Sequence, residues 1–291
     1  MVVCGDSRDV MKNIVASADL IVTSPPYADA RKKHYDSISP DQFPDWLLSF
    51  HDVFWNSLKP EGSLVINIKD KVVNGVRHRY VWKTIDKLME KGWFCIDDYI
   101  WHKPNPMPGY WPTRLRDGWE YCFHLAKKKN PYIDQKAVEV PVGDWVSKRL
   151  NKLGENDSSR HNSINESGFG RDISKWVGKE KVLPTNVLSI PLIGKNKGHP
   201  AVFPVELPSF FIKLLSKENS LIIDPFGGSG TTGISALLNN RNCLIVDNNQ
   251  EYCQTAERRI HNEAGTLYHE VKLYVEPVGS ESVVEEFIGP Y

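Results

Sequence analysis

The chain has 291 residues, 41% hydrophobic and 25% charged, a soluble globular composition with room for one large α/β domain and an insertion. Its 36 Lys and Arg offset 36 Asp and Glu, which excludes a wholly basic nucleic-acid binder, and no apolar run approaches the roughly 20 residues that cross a bilayer. The five cysteines are scattered with no Cys-x-x-Cys pair, and the first residues lack the basic and apolar regions of a signal peptide, which argues for a reducing cytoplasm and against a disulfide framework or a bound metal.

Taken in order, Val2 to Cys4 reads as a short strand ending at Gly5-Asp6, and Asp9 to Ile14 as a short helix. Asp19 to Thr23 is a second strand that runs into Ser24-Pro25-Pro26-Tyr27, and Ala28 to Tyr35 is a polar, basic loop. Pro40 to Leu58 carries apolar residues at helical spacing (Phe43, Trp46, Leu47, Phe50, Val53, Phe54), and Pro60-Glu61-Gly62 ends that helix. Leu64 to Ile68 is a strand, Val72 to His78 a loop centred on Asn74-Gly75, and Tyr80 to Met89 a helix stopped at Gly92. Trp93–Trp101 and Tyr121–Ala126 read as strands with no helix between them, an antiparallel pair for a sheet edge.

From Lys127 to about Gly198 periodicity decays, and the segment is too long for an ordinary loop. Residues 127–200 hold fourteen Lys/Arg against eight Asp/Glu, whereas residues 261–291 hold one against six. A basic middle segment and an acidic tail allow a local DNA-facing surface on a neutral protein. Pattern returns with a helix over Val205–Leu215, a strand over Ser220–Asp224, a Gly-rich turn, a helix through Leu238, a strand over Cys243–Asp247 and a helix over Glu251–Ile260. Strands alternating with helices imply a mostly parallel, doubly wound α/β sheet.

Two stretches carry chemistry. Consecutive prolines end the second strand, because they cannot continue a ladder or enter a helix interior. They lack N–H groups, so the carbonyls of Ser24 and Pro25 stay free as acceptors beside the Ser24 hydroxyl and the Tyr27 ring. That edge suits a planar group bearing an amine, although a plain strand-ending turn reads the same. The second stretch is Asp224-Pro225-Phe226-Gly227-Gly228-Ser229-Gly230-Thr231-Thr232, followed one strand later by Asp247. It differs from the dinucleotide fingerprint and lacks the Gly-Lys-Ser/Thr of a phosphate loop. An Asp at the strand end repels a pyrophosphate and attracts an ammonium, while Asp247 is placed for ribose hydroxyls. The ligand implied is an adenosine with an amino-acid tail, and S-adenosylmethionine fits.

Together these motifs resemble those of the β-group DNA amino-methyltransferases, in which the catalytic motif precedes the cofactor motif. Gly5-Asp6-Ser7, Trp101 to Pro106, Arg31-Lys32-Lys33 and His199 to Pro204 add to the likeness, which covers roughly residues 2–126 and 199–260 and is closest to the cytosine-N4 branch. The resemblance implies a Rossmann-like S-adenosylmethionine-dependent methyltransferase fold with permuted motif order and a mostly parallel seven-stranded sheet. It divides the chain into a catalytic part (1–126), a target-recognition insertion (127–198), a cofactor-binding part (199–262) and an acidic tail (263–291). It also implies direct in-line methyl transfer to the N4 amine of a cytosine flipped out of double-stranded DNA, in a restriction-modification system with a cognate endonuclease.

By the same resemblance, Ser24, Pro25, Pro26 and Tyr27 form the catalytic motif. Ser24 and Pro25 would grip the amine, and Tyr27 would stack on the base. Asp224 and Phe226 would lie near the cofactor, with Pro225, Gly227, Gly228, Gly230, Thr231 and Thr232 shaping its turn. Asp247 would take the ribose, Asp6 the adenine amino group, and Phe203 and Pro204 the methionine end. Arg31, Lys32 and Lys33 would meet DNA phosphates. Adenine-N6 methylation remains open, as does RNA methylation. So does a non-catalytic DNA-binding protein of the same fold. Ser24 favours cytosine, since relatives acting on adenine more often carry Asp or Asn there. The chain has no Pro-Cys pair, which argues against C5 methylation.

Overall fold

The computed structural model describes residues 1–29, 38–143, 179–192 and 203–264, and the backbone of Leu273–Val275. The chain separates into two compact units, one of residues 1–134 and 186–291 and one of residues 135–185.

The larger unit is built on one nine-stranded sheet. Its first strands are β1 (Val2–Cys4), β2 (Ala18–Thr23), β3 (Leu58–Ile68), the hairpin pair β4 (Lys71–Val73) and β5 (Val76–His78), β6 (Phe94–His102) and β7 (Trp119–Ala126). Later come β10 (Val187–Ser189), β11 (Leu221–Asp224), β12 (Asn242–Asp247) and β13 (Leu273–Val275). The order across the sheet is β10-β6-β7-β3-β2-β11-β12-β1-β13. Strands β6 through β1 in that order are the seven expected from the sequence, and three-residue strands extend each edge. Only β7 runs against its neighbours, pairing antiparallel with β3 and β6. The smaller unit includes a 3-10 turn at Gln135–Val138 and a short antiparallel pair, β8 (Val140–Pro141) with β9 (Lys181–Val182).

Helices cover both faces, which explains why the central strands are near-continuous apolar runs. On one face lie α1 (Ser7–Val10), α2 (Phe43–Leu48), α3 (His51–Ser57) and α4 (Tyr80–Glu90). There Met11, Phe43, Leu47, Phe54, Tyr80 and Ile85 pack against Ile21, Leu64, Ile66, Ile223 and Leu244. On the other lie α5 (Glu206–Leu215), α6 (Thr231–Leu238) and α7 (Gln250–Glu263). Gly233 of α6 lets that helix approach closely, since a side chain there would run into Ile245 and Ile260.

Three sequence expectations differ in detail. The helix read over 40–58 is two helices broken at Ser49–Phe50, and the strand after it begins at Leu58 rather than Leu64. The Asn74-Gly75 loop is a hairpin turn with both residues at positive φ (48° and 79°), the geometry that matches strand twist. The tail read as unpatterned contributes β13, parallel to β1.

Candidate active site

The carboxyl ends of β2, β11, β12 and β1 lie side by side, because these strands are adjacent and parallel. From β2 the chain moves outward to β3 on one side, and from β11 outward to β12 on the other. The boundary between β2 and β11 is therefore a topological switch point, where α/β sheets open a crevice beyond their strand ends. The Pro-Pro turn leaves β2 there and the Gly-rich turn leaves β11.

Side chains lock the two turns together. The Thr23 hydroxyl donates to Asp224 at 2.5 Å, and Thr232 at the start of α6 donates to the other oxygen of the same carboxylate at 2.6 Å. The Phe226 N–H donates to it as well, at 3.1 Å. Asp224 is only 1% exposed. Burial pushes its pKa up to about 6, against the lowering effect of Thr23, Thr232 and the Phe226 amide. The Ser7 hydroxyl donates to the Pro225 carbonyl, which brings the end of β1 to the same place.

The Gly-rich turn has an open and a closed side. Gly230 has φ 80° and touches α7, so a side chain there would meet Ala256 at 2.9 Å. A side chain on Gly227 would strike Ile245. Gly228, at φ 50°, faces open space. Its N–H donates to Asp247 at 2.9 Å, and the Asn249 N–H donates to the other oxygen at 2.9 Å. Burial raises the Asp247 pKa against these two bonds. An accessible glycine backbone beside an acceptor carboxylate, with cations favoured nearby, fits an adenosine bearing a positively charged tail.

The remaining cofactor residues border this turn. Asp6 caps α1 and is held by Arg8, whose guanidinium and amide hold the Asp6 carboxyl below its usual range despite partial burial. Phe226 packs among Trp46, Phe50 and Phe54, with centroids at 5.5, 4.9 and 6.4 Å. Phe203 is half-buried and Pro204 buried just before α5. The neighbouring Val205 carbonyl accepts from Ser235 of α6 at 2.8 Å.

In the Pro-Pro turn Pro25 is buried, and Ser24, Pro26 and Tyr27 are half-buried. The Tyr27 hydroxyl donates to Glu120 at 2.7 Å, and Glu120 also accepts from Lys103. Ser24 Oγ lies 3.5 Å from Tyr27 Oη, and Asn67 Oδ1 lies 3.4 Å from it. Burial, then the Glu120 charge, raise the Tyr27 pKa well above its ordinary value, so the phenol stays protonated.

Sequence reading did not single out Glu120, Lys103 or Asn67. The signal for Glu120 was a carboxylate within the apolar run Trp119–Ala126, which demands a buried partner. Lys103 is that partner, with its ammonium 4.2 Å from the Trp101 ring centroid. Arg31, Lys32, Lys33 and His199 lie outside the described residues. No cluster of three or more His, Cys, Asp or Glu able to hold a metal occurs among the described residues. Among them no helix is long and apolar enough to cross a membrane.

Fold and site together define a Rossmann-like methyltransferase whose catalytic turn precedes its cofactor turn in sequence. Comparison with known proteins makes the class specific. A family model described as DNA methylase matches residues 18–258, and the chain belongs to that family. It is 32% identical to the Type II methyltransferase M.PvuII of Proteus hauseri over 272 residues, covering 85% of this chain and 80% of the relative. It is 26% identical to M.SmaI of Serratia marcescens over 294 residues, covering 89% and 90%. Among solved structures, PvuII DNA methyltransferase (cytosine-N4-specific) superposes with a TM-score of 0.67 at 25% identity, covering 94% of both chains. A DNA modification methylase of Thermus thermophilus, complexed with S-adenosyl-L-methionine, superposes with a TM-score of 0.62 at 22% identity, covering 96% and 99%, a likeness of fold.

Proposed function

We propose that this protein transfers a methyl group from S-adenosylmethionine to the exocyclic N4 amine of cytosine in double-stranded DNA. The observation that carries the proposal is the hydrogen bond from Thr23 to Asp224. It sets the acceptor-rich Pro-Pro turn against the open Gly-rich turn at one strand boundary. The similarity to a cytosine-N4-specific relative over most of both chains supports the choice of base, as does Ser24.

When bound, S-adenosylmethionine supplies an electrophilic methyl on a sulfonium. The Gly227-Gly228 turn and Asp247 hold the adenosine, with Gly228 giving the backbone room for it. Asp224, fully engaged with Thr23, Thr232 and Phe226, acts through its charge and by fixing the turn. Asp6, Phe203, Pro204 and Phe226 complete the walls. Pro225, Gly230, Thr231 and Thr232 set the turn and the start of α6.

Cytosine's amine is a poor nucleophile because its lone pair is delocalised into the ring. Ser24 Oγ and the Pro25 carbonyl accept its two N–H bonds, which localises the lone pair and favours the positive charge that develops on nitrogen. Pro26 keeps the turn rigid, and the Tyr27 ring stacks on the base. The base reaches this crevice only out of the helix. Holding both reactants in line supplies much of the acceleration.

Residues 127–198 form the target-recognition segment, and Arg31, Lys32 and Lys33 meet phosphates. The exposed loop 103–118 leaves β6 at the same sheet edge as Ser24. Its Tyr110, Trp111, Leu115 and Arg116 support a DNA-facing rim. The protein acts in the cytoplasm, where a cognate restriction endonuclease reads the same site.

The test is labelled-methyl transfer to DNA, followed by digestion to nucleosides. N4-methylcytosine is expected. N6-methyladenine in its place would refute the choice of base, and no incorporation across diverse DNA would refute the enzyme itself.

A further inference from the structure

We infer that Glu120, held by Lys103, is a positioning residue that fixes the direction of the hydrogen bonds at Ser24 and so makes that hydroxyl an acceptor for the target amine. The inference rests on the proposed methyl transfer and adds a residue to it.

A serine hydroxyl can donate or accept, and its hydrogen rotates to suit. Only an acceptor helps here, because the amine offers N–H bonds and needs them drawn away from the ring. Something must therefore take the Ser24 hydrogen elsewhere. The nearest oxygen is Tyr27 Oη at 3.5 Å, and among the described residues Ser24 Oγ has no other hydrogen-bond partner. That contact is long, as catalytic hydrogen bonds often are before substrate binds.

Tyr27 can accept from Ser24 only if its own hydrogen points away. Glu120 Oε2, at 2.7 Å, sees to this, because an ionised carboxylate has no hydrogen to give. Lys103 keeps that carboxylate supplied with a cation in a buried place, where Glu120 is 7% exposed. Asn67 offers Tyr27 a second acceptor, since its amide nitrogen is committed to the Tyr121 carbonyl at 3.1 Å and its oxygen faces the phenol. The chain thus has one polarity throughout: Ser24 donates to Tyr27, Tyr27 to Glu120, and Lys103 to Glu120. The lone pairs of Ser24 are left facing outward.

The test is a cycle of variants at positions 120 and 27, read as kcat for DNA methylation with wild type in the same assay. In Glu120→Gln, Lys103 claims the amide oxygen and the NH2 turns to Tyr27. The phenol hydrogen then swings toward Ser24, and the serine hydrogen is pushed toward the amine. A loss of about 30- to 100-fold in kcat is expected, the scale of one misplaced transition-state hydrogen bond. The dissociation constant for S-adenosylmethionine should change less than twofold. Tyr27→Phe keeps the ring and loses the relay, with a smaller loss of about tenfold. The double variant should match Tyr27→Phe, because without the phenol residue 120 has nothing to act through. Glu120→Asp, which keeps an acceptor-only carboxylate, should recover most of the activity.

Multiplying losses in the double variant would overturn the inference. So would a Glu120→Gln effect confined to cofactor affinity or thermal stability. Should Glu120→Gln fail to fold, Ser24→Ala supplies the second arm: adding Tyr27→Phe to it must cost nothing further in kcat. A wild type without methylation would refute the proposed function, whereas an active wild type with multiplying losses refutes only the role of Glu120.

Discussion

Thr23 and Asp224 stand 201 positions apart in sequence and share a 2.5 Å hydrogen bond at the boundary of two parallel strands. Through Asp224 the same carboxylate reaches Thr232, so one buried group sets the spacing of the catalytic turn, the cofactor turn and the start of α6. Replacing Thr23 with the isosteric Val removes a bond to a charged acceptor and should cost about 1–3 kcal/mol of stability. Because the turns then lose their registration, kcat and S-adenosylmethionine affinity should both fall, by about tenfold or more given the cost of slight misplacement. Denaturant unfolding and calorimetric titration measure these. An unchanged kcat would mean the turns are registered by other contacts.

The ionisation of Asp224 gives a pH signature. Burial raises its pKa to about 6, and Asp247 is raised by burial too. Both carboxylates attract the cationic cofactor only when ionised. As pH falls from 7.5 through about 6, affinity for S-adenosylmethionine should therefore drop several-fold. Asp224→Asn should bind weakly at pH 7.5 and lose part of that dependence. Affinity flat with pH in the wild type would place the cofactor's charges out of reach of Asp224.

The glycines of the cofactor turn separate stability from binding. At Gly228 the space beyond the backbone is open, so Ala costs only the left-handed conformation, about 1 kcal/mol. The methyl does, however, enter the room assigned to the cofactor, and affinity should fall about tenfold or more, on the scale of an overpacking cost of 1–3 kcal/mol. At Gly230 the same change meets Ala256 and strains φ 80°, so it should lower the melting temperature substantially. Equal effects of the two substitutions on melting temperature would contradict this division.

Both chemical turns were legible because each is local: two prolines must stop a strand, and Gly-rich residues between a strand and a helix must open a tight turn. The alternation of elements gave the seven central strands for the same reason. What was hidden is tertiary. Glu120 meets Lys103 only because β6 and β7 pair antiparallel, setting Trp101 opposite Glu120. Tyr27 reaches Glu120 only because β7 starts at the edge where β2 ends. The Asn74-Gly75 hairpin carried its turn signal in plain view, but strands of three residues offer no periodicity to go with it. Likewise β10 and β13 are sheet edges recruited by backbone hydrogen bonding.

His124 predicts a weakness in acid. It is fully buried on β7, hydrogen-bonded to Ser63 at 2.8 Å, and burial lowers its pKa from 6.5 to about 4. Below pH 6.5 the unfolded chain binds a proton that the native chain refuses, so stability falls as pH drops from 6.5 toward about 4. Asp224 works in the opposite direction, since its raised pKa makes folding more favourable as pH falls through about 6 toward 3.8. Substituting His124 isolates its own share. Relative to wild type, His124→Gln should gain about 2–3 kcal/mol on going from pH 7.5 to pH 4.5. Parallel pH profiles for the two proteins, from denaturant unfolding, would show that His124 titrates normally.

The loop 103–118 supplies a test of the DNA face. Met107, Tyr110 and Leu115 are 74%, 87% and 90% exposed, a concentration of large apolar side chains that a free surface does not favour. The Arg114 guanidinium lies 4.4 Å from the Trp111 ring centroid, and Arg116 is exposed beside them. The loop's base is fixed at the catalytic turn, since Lys103 and Glu120 bracket it and Glu120 holds Tyr27. Basic and aromatic side chains together suit phosphates and bases opened around a flipped nucleotide. Changing Tyr110, Trp111 and Leu115 to Ser should raise the KM for DNA about tenfold, the scale of one lost base-stacking contact. Melting temperature and S-adenosylmethionine affinity should hold, as these side chains bury little. Arg116→Ala should lower the slope of log affinity against log salt by about one. Unchanged KM and salt slope in both variants would move the DNA face away from this loop.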